Sequence, residues 1–303
     1  MHIGLIGLGV ISRYYAAAIA RDPGLHLRGV CDLDDRKTGA LAGPGVTATA
    51  DYRELLGDRS IDAVVVNLPN HLHGEACRAA LDAGKHVCCE KPLTMRSGEA
   101  DALVERASAV GRTLFTAFHR RYNDNVLALR RRLLAAGPPE TLAVRYRERI
   151  EEHCGGDSWY LDPRACGGGC LADNGPNAID LVLLLVPGPV DVVAARVERD
   201  GRGVDRRAEV TLRAGGALAG IDLDWDHPGE EKDVRVRHRG GGADEADMLA
   251  GYPKFKSSLF HEYEGVLADF RAHCRAGRSN PNGPAVVHLV EDAYRAAAAV
   301  TAP

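Results

Sequence analysis

The first 120 residues alternate short apolar runs with segments that have helical periodicity. The clearest run, residues 61–66, is a continuous series of mostly β-branched side chains, which is typical of a strand buried on both faces of a parallel sheet. Similar runs predict strands at residues 3–6, 25–31, 46–48, 86–89 and 112–117. This order of strands and helices predicts an α/β domain over residues 1–120, built on a doubly wound parallel sheet.

After residue 120 the pattern changes to longer strands in which apolar and polar positions alternate. Such alternation indicates a mostly antiparallel sheet with one face covered, and hence an α+β domain over residues 121–303. We expect strands at 141–151, 190–198, 206–212, 217–226 and 232–239, and helices at 125–136, 171–185, 258–276 and 285–301. Residues 240–247 are polar and rich in glycine, and they are predicted to form a loop.

Composition and charge limit the binding partners and the cellular location that we expect for the protein. The 303-residue chain carries a formal net charge of −4, which argues against nucleic acid or an anionic membrane as the main partner. No apolar run is long enough to span a bilayer, and the chain enters its first strand without a secretory signal pattern. The eight cysteines are scattered and match no common zinc spacing, so we expect a reduced, cytoplasmic protein without a metal site.

A glycine-rich turn follows the first strand and opens a helix. Gly7 allows a tight turn, and Gly9 lets the backbone approach a pyrophosphate at the positive end of the helix. Asp32 ends the second strand, where a carboxylate accepts hydrogen bonds from the ribose hydroxyls and favours NAD over NADP. The alternative is a nucleotide-free turn with Asp32 as a solvated strand end. The predicted cofactor contacts in this region are Gly7, Gly9, Val10, Ile11 and Asp32.

Two further strand ends carry polar residues. Pro69, Asn70 and His73 follow the fourth strand and are predicted to lie beside the nicotinamide half of the cofactor, although Asn70 could equally cap a helix. Glu90 and Lys91 follow the fifth strand, and the proline after them allows a cis peptide bond that would aim the lysine rigidly. The simpler interpretation is a surface lysine that begins a loop.

Three polar residues share one face of a predicted helix. Asp173, Asn177 and Asp180 follow an i, i+4, i+7 spacing, directly after the glycines at 167–169 that let chain or substrate come close. A helix start with capping residues explains the same spacing. We expect Asp173 and Asn177 to be functional and Asp180 to be structural.

Taken together, these motifs resemble the Gfo/Idh/MocA family of NAD(P)-dependent sugar and cyclitol oxidoreductases. The resemblance runs through almost the whole chain and includes the glycine turn, Pro69-Asn70-His71 with His73, Glu90-Lys91-Pro92, His119-Arg120-Arg121-Tyr122, Trp159-Tyr160 and the residues from Gly167 to Asp180. It implies an NAD-binding domain followed by an open-faced sheet that contacts substrate and forms a homodimer or homotetramer. It also implies that Lys91, Asp173 and position 177 surround the reacting carbon.

The chain departs from the family pattern at Asn177, where members that oxidise sugar or inositol hydroxyls usually carry a histidine as general base. An amide can orient a hydroxyl but cannot take a proton near neutral pH. Lys91 is therefore the expected acid/base, with Asp173 fixing Lys91 or a substrate hydroxyl. A second departure is Asn67, where small hydroxyl residues are common. Aromatic faces stack on sugar rings and arginine binds oxygens, so the predicted substrate contacts are Arg121, Tyr122, Trp159, Tyr160, Asp173 and Asn177.

The sequence thus predicts an oxidoreductase that uses NAD to interconvert a secondary alcohol and a ketone on a sugar, cyclitol or aminosugar. Two alternatives stay open at this point. One is a redox-neutral lyase, glycosidase or epimerase that uses NAD without consuming it. The other is a non-catalytic protein that binds NAD(H), which the amide at position 177 suggests.

Overall fold

The computed structural model describes residues 1–252, 254 and 256–301 and forms two compact units. The first unit comprises Met1–Ala117 and Tyr263–Pro284, and the second comprises Phe118–Glu262 and Ala285–Pro303. The sequence predicts one boundary, at residue 120. The units differ from that division because the chain returns to the first unit for residues 263–284 before it re-enters the second.

The first unit is built on a six-stranded parallel sheet of order β3-β2-β1-β4-β5-β6. This order confirms the predicted doubly wound α/β fold. The chain starts at β1 in the middle of the sheet, adds β2 and β3 on one side, and then adds β4, β5 and β6 on the other side. The strands are β1 (His2–Ile6), β2 (His26–Cys31), β3 (Thr47–Thr49), β4 (Ala63–Val66), β5 (His86–Glu90) and β6 (Leu114–Ala117). The helices are α1 (Ser12–Arg21), α2 (Asp35–Leu41), α3 (Tyr52–Gly57), α4 (His73–Asp82) and α5 (Ser97–Val110).

The second unit is built on a six-stranded sheet of order β12-β11-β7-β10-β9-β8. Only β7 and β10 pair in parallel, so the predicted mostly antiparallel sheet is confirmed. Its strands are β7 (Thr141–Arg149), β8 (Val190–Arg199), β9 (Asp205–Ala214), β10 (Ala217–Asp224), β11 (Asp226–Arg237) and β12 (Ala243–Asp247). Its helices are α6 (Asp124–Ala136), α7 (Pro163–Cys166), α8 (Cys170–Asp173) and α9 (Gly175–Leu185). The last two helices of the chain, α10 (Leu259–Ala276) and α11 (Asn282–Thr301), each contribute residues to both units.

Two predicted elements of the second unit are wrong in detail. The single helix expected at 171–185 is divided into α8 and α9, because Pro176 in the first turn of α9 has no N–H to continue the helical ladder. The loop expected at 240–247 contains β12, which pairs antiparallel with β11. Its sequence, Ala-Asp-Glu-Ala-Asp, has low strand propensity, so the pairing comes from the neighbouring strand rather than from local preference.

One face of the second sheet carries the core of that unit. Alternate residues of β7, β9 and β10 share one buried apolar cluster with residues of α9, and α11 adds Val286, Leu289, Ala293 and Ala297. Trp225, between β10 and β11, has no exposed surface and is the largest buried side chain. Within the described part of the chain, none of the helices has both the length and the apolar character that crossing a bilayer requires.

Candidate active site

The glycine turn after β1 is closely packed against the loop after β4. Gly7 has a φ of +85°, and a Cβ at this position would lie 2.7 Å from the carbonyl oxygen of Asn67. The Gly7 N–H donates to the carbonyl of Cys31 over 2.8 Å, which ties the turn to the end of β2. Only glycine fits here, because an L side chain would be strained and would clash with backbone.

Helix α1 starts without a side-chain cap. Val10 and Ile11 form the turn, Ile11 is the cap residue, and the first turn contains no acidic residue. Ser12 instead turns its hydroxyl to the carbonyl of Gly9, 2.8 Å away. An uncapped helix start presents backbone N–H groups and a positive dipole, the features that hold a dinucleotide pyrophosphate.

Asp32 lies at the C-terminal end of β2, as predicted. Its Oδ2 accepts the N–H of Leu8 over 2.7 Å, and its Oδ1 accepts the N–H of Asp34 over 2.9 Å. Lys37 Nζ is 3.9 Å from Oδ2. The carboxylate is therefore held in place beside the glycine turn.

The loop after β4 is held by His73, which is buried. Its Nδ1 lies 2.7 Å from the carbonyl oxygen of Pro92, and its Nε2 lies 2.7 Å from the carbonyl oxygen of Leu68. Both ring nitrogens therefore contact main chain, so the structure assigns His73 a role in joining the loops after β4 and β5. Asn70 is buried in the same loop, directly after Pro69.

Glu90 is the buried anchor beside Lys91. Its Oε1 accepts hydrogen bonds of 2.9 Å from the hydroxyls of Tyr15 and Tyr263, and its Oε2 accepts the N–H of Lys91 over 3.2 Å. Burial raises the pKa of Glu90, while the charge of Lys91 acts in the opposite direction. The peptide bond between Lys91 and Pro92 is cis, as the sequence allows, and Lys91 is half-buried at the end of β5. The carboxyl of Glu90 thus holds the backbone from which Lys91 projects.

In the second unit, Arg121 and Asp180 form a two-point ion pair. Arg121 Nε and Nη2 each donate over 2.9 Å to the carboxylate of Asp180, which is buried. The structural role expected for Asp180 agrees with this pair. Tyr122 follows in the same 3₁₀ turn, His119–Tyr122. Trp159 and Tyr160 stack on each other with ring centroids 3.8 Å apart.

Asp173 and Asn177 are both buried, and they lie in α8 and α9 respectively. The glycines before them serve close packing with the chain, since a Cβ on Gly169 would lie 2.4 Å from the carbonyl oxygen of Asp205. Asn177 Nδ2 is 3.3 Å from Nε2 of His119. Asn177 Oδ1 is buried and has no hydrogen-bond partner among the described residues.

Two buried charge networks in the second unit have no signal in the sequence. In the first, Glu262 accepts hydrogen bonds from His119, Arg120 and Asn123. Burial opposes ionisation of Glu262, but Arg120 and His119 outweigh it and lower its pKa to about 2. Residues 119 and 262 are far apart in the chain, and His119 sits in a motif that gives no sign of its partner.

The second network surrounds Lys232. Its Nζ lies 2.6 Å from Glu148 Oε2 and also contacts Glu230, while His153 Nδ1 is 3.2 Å from Glu148. Burial acts to raise the pKa of Glu148, but Lys232 prevails and lowers it to about 2. Glu148, His153 and Glu230 lie close enough to ligate a cation. The ammonium of Lys232 already contacts the carboxylates of Glu148 and Glu230, so it supplies the positive charge that a cation would bring.

Two family models match the chain in sequence order. The model described as "Oxidoreductase family, NAD-binding Rossmann fold" covers residues 1–118, and the GFO/IDH/MocA C-terminal domain covers residues 132–243. The chain belongs to the Gfo/Idh/MocA oxidoreductase family. Residues 1–118 are therefore the NAD-binding Rossmann domain of that family, and the glycine turn, α1 and Asp32 form the part of it that the sequence predicts to hold the dinucleotide.

Several relatives of this chain are named as dehydrogenases or reductases of sugars. D-xylose 1-dehydrogenase (NADP(+)) 2 of Haloferax volcanii is 32% identical over 245 residues, which is 79% of this chain and 73% of the relative. The 1,5-anhydro-D-fructose reductase of Ensifer adhaerens is 33% identical over 197 residues, which is 63% of this chain but only 58% of the relative. The match likewise spans about half of a levoglucosan dehydrogenase, at 51% of its length.

A solved structure is similar over nearly the whole chain. GenD2 from gentamicin A biosynthesis, in complex with NAD, has a TM-score of 0.87 and 25% identity, and the match covers 98% of this chain and 94% of GenD2. A levoglucosan dehydrogenase solved with NADH has a TM-score of 0.84 at 20% identity and shows the same fold.

Proposed function

We propose that this family member is an NAD-dependent oxidoreductase that transfers hydride between the nicotinamide and a secondary alcohol or ketone of a sugar, cyclitol or aminosugar. The observation that carries the proposal is Lys91 at the end of β5, next to a buried carboxyl that two tyrosines hold in place. An ionisable side chain on a fixed backbone, at the ligand-binding edge of a parallel sheet, suits acid/base chemistry.

The residues of the first unit fit NAD. Gly7 leaves no room for a side chain, α1 begins without a cap, and the carboxylate of Asp32 is fixed at the end of β2. We propose that NAD, when bound, supplies the hydride acceptor or donor. The residues proposed to hold it are Gly7, Gly9, Val10, Ile11, Asp32, Pro69, Asn70, His73, Glu90 and Lys91, with His73 and Glu90 acting through the loops that they anchor.

We propose Lys91 as the proton carrier. In the oxidising direction its neutral amine takes the proton of the reacting hydroxyl, and in the reducing direction its ammonium returns that proton to the carbonyl oxygen. Asp173 and Asn177 are proposed to bind substrate hydroxyls. Asn177 can accept or donate a hydrogen bond but carries no proton, so it orients the reacting group.

The substrate class follows from the chemistry of the second unit and from the named relatives. The stacked rings of Trp159 and Tyr160 offer an aromatic surface for a sugar ring. Tyr122 is proposed as a further contact. Arg121 donates two hydrogen bonds to Asp180 and also interacts with Tyr122, so we propose that it contacts the substrate while shaping this part of the site. Sugar dehydrogenases and reductases among the relatives support a polyhydroxylated substrate.

We also propose a homodimer or homotetramer formed through the second sheet and a location in the reducing cytoplasm. Leu218 on β10 and Val193 on β8 are large apolar side chains with about half of their surface exposed, at 51% and 47%. All eight cysteines are free thiols, which suits a reducing compartment. Light scattering of the purified protein tests the oligomer, and a mass equal to one chain would contradict it.

The deciding experiment compares Lys91→Ala with Lys254→Ala, which removes an exposed lysine of the second unit. NAD-linked turnover is followed at the absorbance of NADH on a panel of polyols and aminosugars, and NADH binding is followed by fluorescence. Loss of a positioned acid/base lowers kcat/KM by about 10²–10⁴-fold. We expect that loss for Lys91→Ala, with NADH binding retained, and none for Lys254→Ala. Turnover of Lys91→Ala near the wild-type rate, or turnover without net NADH formation, would refute the proposal.

A further inference from the structure

His119 is buried in the second unit and has a fixed tautomer. Its Nδ1 lies 2.5 Å from Oε2 of Glu262, whose other oxygen accepts hydrogen bonds from Arg120 Nη1 at 3.0 Å and Asn123 Nδ2 at 2.7 Å. An ionised carboxylate can only accept hydrogen bonds, and Arg120 and His119 keep Glu262 ionised by lowering its pKa to about 2. The proton of a neutral His119 ring therefore sits on Nδ1.

This tautomer determines which way the amide of Asn177 faces. With the proton on Nδ1, the lone pair of His119 Nε2 is an acceptor, and Asn177 Nδ2 donates to it over 3.3 Å. Asn177 Oδ1 is then the atom turned away from His119. It is buried and has no hydrogen-bond partner among the described residues, and an unsatisfied buried carbonyl is costly unless a ligand satisfies it.

We propose that His119, held by Glu262, is a positioning residue that presents Asn177 Oδ1 to a hydroxyl of the substrate. The inference rests on the proposed function, because it deepens the role of Asn177 within that site. Position 177 lacks the histidine that is usual in the family. In this chain the imidazole of His119 orients the Asn177 amide and does not itself contact the substrate.

Protonation of His119 reverses this arrangement. An imidazolium carries a proton on Nε2 as well, so it donates and requires Oδ1 of Asn177 as its acceptor. The amide then turns over and presents Nδ2, a donor that suits a ketone oxygen. The neutral ring therefore favours the alcohol, and the protonated ring favours the ketone.

The groups around His119 influence the protonation of its ring. Glu262 from α10 and Arg120 from the same 3₁₀ turn are two charged groups in its network. Helix α9 contributes the neutral Asn177 and, three residues further on, Asp180, which is paired with Arg121. Lys91 titrates in the same reaction and shifts the balance in the same direction, so a variant that removes only the titration of His119 is needed.

Two substitutions separate the two contacts of the ring. His119→Gln places an amide near the former Nε2 position, where it can accept from Asn177 but cannot titrate. His119→Asn places an amide near the former Nδ1 position, where it can donate to Glu262 but does not reach Asn177. KM for alcohol and for ketone is measured from pH 5.5 to 8.5 for the wild type and both variants, with Tm as the check on folding.

In the wild type we expect KM for the alcohol to rise by up to about tenfold for each pH unit below the ionisation of His119, and KM for the ketone to rise by up to about tenfold for each pH unit above it. His119→Gln should keep its KM values near those of the wild type at high pH and lose this part of the pH dependence. His119→Asn should have, at every pH, a KM for the alcohol about tenfold above the value that the wild type has at high pH. If His119→Gln has the same pH profile as the wild type, or if both variants lower only Tm, the inference is wrong.

A second measurement does not depend on turnover. Nitrogen-15 NMR of histidine-labelled protein, with the His119 signals identified by their absence in His119→Gln, reports which ring nitrogen carries the proton at pH 8. A proton on Nδ1 supports the arrangement, and a proton on Nε2 overturns it. If no polyol gives NAD-linked turnover in the wild type, the proposed function fails, and the tautomer still decides whether His119 orients Asn177 as inferred.

Discussion

Asp32 Oδ2 accepts a 2.7 Å hydrogen bond from the backbone N–H of Leu8, so one carboxylate joins the end of β2 to the glycine turn after β1. Lys37 lies 3.9 Å from the same oxygen. The residue that we propose to select the dinucleotide thus also holds the turn that we propose to approach its phosphates. Charge and hydrogen bonding at this position can be separated by substitution.

We expect Asp32→Ala to weaken NADH binding by about 10–100-fold, since a hydrogen bond to a charged group contributes about 1.5–3 kcal/mol. Asp32→Asn keeps an acceptor for Leu8 but removes the negative charge, so it should improve binding of NADPH relative to NADH. Asp35→Asn, an exposed change in α2, is the control. Fluorescence titration with both reduced dinucleotides measures the ratio, and an unchanged ratio in Asp32→Asn would show that the charge does not select NAD.

The glycine turn makes a second prediction about stability. Gly7→Ala puts a Cβ 2.7 Å from the carbonyl oxygen of Asn67 at a φ of +85°, and such strain costs about 1–3 kcal/mol. Gly39→Ala is the matched control, because Gly39 lies inside α2 with no atom near its missing Cβ, and alanine favours a helix by about 1 kcal/mol. Urea unfolding followed by circular dichroism should show opposite shifts in the midpoint. A shift of the same sign in both variants would contradict this account.

Glu90 predicts a pH dependence of the stability of the first unit. Burial raises the pKa of Glu90 in the folded protein above its ordinary value of 4.5. At pH values between 4.5 and this raised pKa, the folded state therefore binds more protons than the unfolded state. Stability from this group is therefore lost as pH rises through that window. Glu90→Gln cannot ionise, so its stability minus that of the wild type should increase with pH. The exposed change Glu105→Gln should show a flat difference, and a flat difference for Glu90→Gln would exclude this effect.

The first unit could be predicted well because its signals are local. A strand buried on both faces needs an unbroken apolar run such as β4, and a turn that contacts the neighbouring loop needs a glycine such as Gly7. The strand β12 could not be predicted in this way, because Ala243–Asp247 becomes a strand only through its pairing with β11. The break between α8 and α9 had a local signal in Pro176, which the helical spacing of Asp173, Asn177 and Asp180 obscured.

The candidate site shows the same difference between features with a local sequence signal and features that depend on distant residues. The positions of Asp32 and Lys91 at strand ends could be predicted because the end of a parallel strand is a defined place in this fold. The role of His73 as a link between two carbonyls was not, because neither Leu68 nor Pro92 carries a side chain that signals it. The partner of His119 was not predictable either, since no local pattern joins it to Glu262.

The buried pair of Glu148 and Lys232 carries the last prediction. Lys232→Met leaves the carboxylate of Glu148 buried without its ammonium, and breaking such a pair costs about 3–5 kcal/mol. Replacing both residues, in Glu148→Gln/Lys232→Met, removes the uncompensated charge and should recover part of that loss. The chain has two tryptophans, Trp159 and Trp225, and both lie in the second unit, so fluorescence during urea unfolding reports on the unit that is changed.

The same pair sets an acid limit on stability. The pKa of Glu148 is about 2 in the folded protein and near 4.5 when unfolded, so its contribution is present above pH 4.5 and is lost as pH falls towards 2. The double variant has no carboxyl at position 148, so its stability should fall less than that of the wild type over this range. An equal fall in both proteins, or a double variant less stable at pH 7 than Lys232→Met, would show that the pair does not behave as a coupled buried unit.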